Sequence, residues 1–272
     1  LAEALEREAA RAGARVAVHL KIDTGMGRVG VPPAEALPFA ARLRDFPHLV
    51  LEGLMSHLAE AEVAGSAATA SQIRTFRSVC AAIEVMGGPV RWRHIANSAL
   101  LLQGAAEGTL VRPGIMLYGS APGPGLPHGA ELQPVMSLAT AIAFLKRVPA
   151  GTAVSYNGTW TAPRESVIAT LPVGYADGYR RALSNRAEVL VRGRRAPVVG
   201  TVCMDLCLAD VTDVPGACAG DEVLLIGRQG REEITAAEVA ARAGTISYEV
   251  FCGIGARVPR LYARGPVRYH GA

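Results

Sequence analysis

The chain has 272 residues, 28 basic and 24 acidic side chains, a formal net charge of +4, and half of its residues are hydrophobic. That length holds one large domain or two ordinary ones with substantial cores. The weak, scattered positive charge, without a basic helix or an interleaved aromatic stripe, argues against a nucleic-acid surface, and no apolar run approaches the roughly 18 residues of a membrane span.

The first residues, LAEALEREAARAG, read as a charged amphipathic helix over 1–13 and not as a signal peptide, so a cytoplasmic chain is expected. It begins with Leu1, from which missing upstream sequence is expected. Residues 15–22 (RVAVHLKI) predict a strand, 33–45 a helix opened by Pro32 and Pro33, and 48–57 (HLVLEGLMSH) a buried strand. Over 66–86, Ile73, Phe76, Cys80 and Ile83 recur at helical spacing. RWRHIANSA and TLVRPGIMLYG supply two further strands. Strand and helix in alternation predict βαβ units and a parallel sheet.

After GSAPGPGLPHG (119–129) the pattern changes. ESVIATLPVG, AEVLVRG, APVVGTV and DEVLLIG are short apolar runs at close spacing, which predict a mostly antiparallel β domain, with RGRRAP (192–197) at a hairpin tip. A late helix is marked by a capping box at Thr235 and Glu238, a staple of Ile234 and Val239, and Gly244 beyond its end. Five cysteines form no paired framework, and Cys203 and Cys207 have no second Cys or His pair nearby, so no metal is expected. The reading is two domains, α/β over 1–133 and β-rich over 134–272.

HLKIDTGMGRVGV (19–31) spaces Gly25, Gly27 and Gly30 as G-x-G-x-x-G behind an apolar run. A dinucleotide fingerprint needs its third glycine inside the opening helix and an acid ending the next strand. Here Val31, Pro32 and Pro33 intervene, and Glu52 lies inside the second strand. The glycines instead predict a tight loop beside a ligand, with Lys21, Asp23 and Arg28 pointing into the site. His57, Ser98 and the stretch 112–115 also fall at strand ends, the active face of a (β/α)8 barrel. Ser98 with the Gly114 and Ile115 amides suits a phosphate.

These residues carry a family resemblance. LKIDTGMGRVGV, LMSH, HIANSA, VRPGIMLYG, VSYNGTW, LPVGYADGYRR, GTVCMD and RVPRLY, in that order from about 15 to 262, resemble alanine racemase. The resemblance implies a pyridoxal 5'-phosphate (PLP) isomerase with a (β/α)8 barrel and a C-terminal β domain. It implies interconversion of L- and D-alanine by two bases, D-alanine supply for peptidoglycan, and a head-to-tail homodimer. Tyr175 matches the tyrosine that reaches the partner's barrel and moves a proton, and His57 the neighbour that hydrogen-bonds it. Arg28 matches an arginine beside the cofactor's phenolic oxygen and the substrate carboxylate, and Lys21 a lysine carbamylated in many members. Asn97, Ser98, Gly114 and Ile115 fall at phosphate-binding positions. Met204 and Asp205 match partner-side residues that receive the substrate carboxylate. Arg112 matches the group facing the pyridine nitrogen. An arginine there accepts no proton, so the ring stays a weak electron sink, which favours racemisation over transamination.

The sequence departs from the family in two places. The family's PLP lysine stands in a motif like K-A-N-A-Y-G-H, which is absent; the only lysines are Lys21 and Lys146. With four strands counted before the β domain, the chain reads as the C-terminal part of such an enzyme, its barrel limited to the last four βα units and inactive alone. Ala256 stands where many members carry a tyrosine that narrows the substrate site. The alternatives are a catalytically dead PLP- or protein-binding module and a nicotinamide (NAD(P)) oxidoreductase using Gly25 to Gly30.

Overall fold

Helix α1 (Ala2–Ala12) ends where Gly13 turns left-handed at φ 61° and its N–H returns to Ala10 O, a stop that a Cβ would oppose. The structure is a computed structural model that describes residues 1–123, 126 and 131–262. It divides into two compact units, Leu1–Leu117 with Ala121–Leu132, and Tyr118–Ser120 with Gln133–Ala272. Part of the Gly/Pro-rich stretch 119–129 lies outside the described residues.

In the first unit β1 (Val16–Lys21), α2 (Pro33–Arg42), β2 (Leu49–Met55), α3 (Ala67–Gly87) and β3 (Trp92–His94) alternate, and the strands form a parallel sheet in the order β1-β2-β3. Leu20, Ile22 and Leu54 bury one sheet face against Phe76, Cys80 and Ile83 of α3. Each such aliphatic side chain contributes roughly 2 kcal/mol when removed from water. Ser66 caps α3 by accepting the Thr69 N–H at 3.1 Å. A short helix, α4 (Ser98–Leu102), follows β3.

The expected fourth strand is not formed as such. Of TLVRPGIMLYG, Arg112 makes an isolated parallel bridge to Asn97, and Ile115–Tyr118 is a 3-10 turn. Pro113 has no N–H to donate, which stops the ladder one residue after the bridge. The described sheet is thus three strands and a bridge, not a closed barrel and not four full βα units.

The second unit holds β4 (Leu138–Ala141), β5 (Phe144–Val148), β6 (Ala153–Val154), β7 (Trp160–Thr161), β8 (Ser166–Leu171), β9 (Glu188–Val191), β10 (Arg194–Pro197), β11 (Cys207–Asp210), β12 (Glu222–Gln229) and β13 (Glu232–Ile234), then α5 (Ala236–Ala243) and α6 (Ser247–Gly253). Its strand pairings are antiparallel, with β12 pairing β9, β13 and β4, and β8 between β11 and β5. Arg192 and Gly193 turn the β9–β10 hairpin at positive φ. Leu190, Val191, Leu171 and Leu225 fill its core.

The capping box of α5 is only half made. Thr235 accepts the Glu238 N–H at 3.0 Å. The Glu238 carboxylate goes to Arg195 and Arg242, which also share Glu188. Two guanidiniums outbid one amide for that carboxylate.

Candidate active site

The loop after β1 is organised by its own acid. Asp23 Oδ1 accepts the N–H groups of Gly25, Met26 and Gly27 at 3.1, 2.8 and 3.1 Å. These bonds, that of Gly27 foremost, hold the carboxyl below its ordinary value. Asp23 therefore does not point into the site; it fills the amide nest that a cofactor phosphate would need. Gly30, at φ 122°, lies so close that a Cβ would stand 2.9 Å from Lys21 O.

Gln72, from α3, reaches under this loop. It accepts the Ala59 N–H at 2.9 Å and donates to His57 O at 3.0 Å and Thr24 Oγ1 at 3.3 Å. Thr24 then donates to Ser56 Oγ at 2.7 Å, which donates to Ile22 O at 2.8 Å. A directional chain of hydrogen bonds thus fixes the backbone that presents His57. Sequence reading did not find Gln72; its spacing on the helix matched the core face.

Arg112 is the centre of the first unit's site. Its guanidinium donates to Ser56 O at 2.7 Å, His94 O at 3.0 Å, His94 Nδ1 at 2.5 Å and His57 Nδ1 at 3.2 Å. A guanidinium only donates, so both imidazoles must accept at Nδ1 and keep their proton on Nε2. Burial first, then Arg112, lowers both imidazoles, His94 to about 4. His57 also feels Arg28 and Lys21. Lys21 is itself held below its ordinary value by burial and then by Arg28, with Arg112 adding to it. Arg28 is exposed.

Asn97 caps α4, accepting the Leu100 N–H at 3.1 Å, and keeps its amide NH2 to donate. Buried Ser98 accepts the Gly114 and Met116 N–H groups at 2.8 and 3.5 Å, which leaves its hydroxyl proton for an outside acceptor. Ser98 is thus not the helix cap. Ile115 is buried next to Gly114. This donor set, with Arg112 across the Asn97–Arg112 bridge, suits a phosphorylated pyridine: hydroxyl and amide donors for the phosphate and a fixed cation for the ring nitrogen.

The remaining predicted residues lie in the second unit. Tyr175 opens a 3-10 turn and is exposed, as are Met204 and Asp205. The Tyr175 and Ala176 N–H groups donate to Cys203 O and Met204 O, both at 3.0 Å. Gly174 permits this contact, since a Cβ there would lie 2.3 Å from both carbonyl oxygens. Arg257 spans the two loops, 3.1 Å from Asp177 and 2.7 Å from Asp205. Ala256 beside it is exposed.

The first unit thus sets an arginine, two neutral imidazoles and oxyanion donors at the ends of a parallel sheet, and the β-rich unit presents an exposed tyrosine. A family model described as alanine racemase, N-terminal domain, matches residues 1–122, and one described as alanine racemase, C-terminal domain, matches 135–262. The chain is 46% identical over 259 residues to the alanine racemase of Halothermothrix orenii, covering 95% of this chain and 68% of that protein. It is 49% identical over 278 residues to that of Geobacter sulfurreducens, covering 98% of this chain and 72% of the other. The crystal structure of alanine racemase from D-cycloserine-producing Streptomyces lavendulae superposes with a TM-score of 0.91 at 36% identity, over 97% of this chain and 70% of that one. The chain belongs to the alanine racemase family, whose members depend on PLP.

The N-terminal domain model matches residues 1–122, and the chain spans 68% and 72% of the length of the Halothermothrix orenii and Geobacter sulfurreducens relatives. The nicotinamide alternative is set aside, since Asp23 occupies the amides of the glycine loop.

Proposed function

We propose that this chain interconverts L- and D-alanine with PLP, in the cytoplasm, as a supply of D-alanine for peptidoglycan. The observation that carries this is the seat of Arg112. Its described hydrogen bonds go to neutral acceptors alone, so its charge is free to face a ligand, and in this reading it takes the place where other PLP enzymes put a carboxylate. Asn97, Ser98 and the Ile115 amide would hold the phosphate in this reading, with Gly114, whose N–H goes to Ser98, shaping the turn beside it, and Arg112 would meet the ring nitrogen. When bound, the cofactor withdraws electrons from the alanine Cα–H bond. Arg28 and the backbone N–H groups of Met204 and Asp205 would receive the alanine carboxylate, the Asp205 side chain being held by Arg257.

Tyr175 moves the proton at Cα on one face. A free phenol, with a pKa of about 10, is a weak base at neutral pH. His57, neutral and with its proton on Nε2, is able to donate to the phenolate and stabilise the basic form. This assignment goes with a head-to-tail homodimer in which Tyr175 and Met204 act in the partner's site. The three strands and the Arg112 bridge are assigned to the C-terminal part of a (β/α)8 barrel, and 134–272 to the β domain.

A second reading, a chain that holds PLP without turning over alanine, draws support from the sequence. Its two lysines are Lys21, at the end of β1, and Lys146, in β5, and neither stands in the motif of the PLP lysine. One experiment separates the readings. The chain is mixed with PLP, L-alanine is added, and D-alanine is followed by chiral chromatography. Borohydride reduction and peptide mapping then report any lysine that carries the cofactor. D-alanine formation that is lost in Tyr175→Phe supports the first reading. PLP binding without D-alanine supports the second, and no PLP binding defeats both.

A further inference from the structure

Two histidines meet over a strand that places no side chain between them. His19 on β1 and His94 on β3 flank β2, and Gly53 of β2 stands opposite His19 in the register. A Cβ on Gly53 would lie 2.9 Å from three atoms of the His19 ring. Gly53 is absent from the residues at positive φ, so the glycine supplies room and not an unusual backbone. Over that gap His19 Nδ1 comes within 2.6 Å of His94 Nε2, with the rings tilted by 60°.

The direction of this contact follows from Arg112. Because His94 Nδ1 accepts from the guanidinium, the single proton of its neutral ring is on Nε2 and is donated to His19 Nδ1. The His19 proton then lies on Nε2, 3.9 Å from Glu52 Oε2, and Glu52 also pairs with Arg91 at 3.2 Å. Both rings accept at Nδ1 and carry their proton on Nε2. If His94 lost its acceptor, its proton would be free to move to Nδ1. An N–H would then face the Arg112 N–H groups and push the guanidinium off its seat.

We propose that His19 is a positioning residue for Arg112: by accepting the His94 Nε2–H across the gap at Gly53, it holds His94 in the tautomer that receives the guanidinium. The consequence for the cofactor rests on the reading of Arg112 as the group facing the pyridine nitrogen; the tautomer itself does not. Partners of this kind, one step removed from the reacting group, typically fix ring tautomer and orientation for the group they support.

The test is 15N NMR of the histidine rings in the labelled chain, alongside circular dichroism to verify folding. His94 is expected as the Nε2–H tautomer. His19→Leu should give a mixture or the Nδ1–H form. His19→Asn, whose Oδ1 replaces the Nδ1 acceptor, should keep the original. Gly53→Ala, which changes no hydrogen-bonding group, should reproduce His19→Leu by displacing the ring, and it decides the matter if His19→Leu fails to fold. A His94 protonated on Nδ1 in the parent chain, or an unchanged tautomer in His19→Leu and Gly53→Ala, overturns the proposal. In a second arm, the absorbance maximum of added PLP should shift in His19→Leu and not in His19→Asn. A changed tautomer with an unshifted spectrum would overturn the reading of Arg112 and leave the role of His19 standing.

Discussion

Arg257 Nη2 lies 2.7 Å from Asp205 Oδ1, and through its Nε, 3.1 Å from Asp177, the same guanidinium holds the Tyr175 turn to the loop of Met204. Arg257 and Asp205 are half exposed, so their pair adds little to folding, and the buried Asp177 keeps the Gly174 N–H as a partner without Arg257. Their effect is on placement. Arg257→Ala should leave the melting temperature nearly unchanged and lower kcat/KM for alanine about tenfold, since small errors in the position of a reacting group are costly. A large drop in melting temperature with unaltered kcat/KM would assign Arg257 to stability instead.

Lys21 is expected to be carbamylated. Its ammonium is held below the usual lysine value by burial, Arg28 and Arg112, so more of the neutral amine, the form that attacks CO2, is present near neutral pH. The amine nitrogen bonds the CO2 carbon and releases one proton, which turns a cation into an anion able to pin Arg28. 13C-bicarbonate should give a carbamate resonance that is lost in Lys21→Ala, and small carboxylates should restore part of the lost activity. Full activity in Lys21→Ala would sink the idea.

The buried imidazole of His94 makes stability depend on pH. Its folded value, about 4, lies below the ordinary 6.5, so between these two the unfolded chain binds a proton that the folded one does not. Stability is then fully present above the ordinary value and falls as pH drops toward the folded one. The slope from this residue is at most about 1.4 kcal/mol per pH unit. Urea unfolding at several pH values should show a shallower acid slope in His94→Gln than in the parent. Equal slopes would remove His94 as the cause.

The acid of the glycine loop should be worth measuring by two substitutions. Asp23→Ala removes the acceptor of three N–H groups and is expected to cost about 1 kcal/mol, the loop being partly in water. Asp23→Asn keeps a neutral oxygen in place and should cost less. Chemical denaturation of both variants checks the order, and an equal loss from the two would mean that charge contributes everything.

Much of the fold was legible because it is periodic. Alternating strand and helix foretold the parallel sheet, and Val31, Pro32 and Pro33 were enough to reject a dinucleotide turn. What failed were competitions that only coordinates resolve. Pro113 ended the fourth strand at a single bridge, Glu238 was drawn to Arg195 and Arg242, and Asp23 turned back onto its own loop. The contact of His19 with His94 spans 75 positions, and no spacing rule reaches that far. One signal did exist, a glycine inside the apolar strand LEGLM, which marks a close approach. The line from Gln72 to Ile22 O left no such mark.

Arg112 rests on carbonyls and imidazoles, none of them charged to oppose it, and Lys21 and Arg28 add to the same field. A cluster of cations of this kind behaves as a small ion exchanger: it concentrates any oxyanion that fits, and its pull fades as salt rises. Inorganic phosphate in a buffer and phosphorylated metabolites in a cell would thus compete for the same seat. If the cofactor binds there as proposed, its apparent affinity becomes a property of the surrounding solution as much as of the protein, and shape alone is left to tell one phosphate ester from the next.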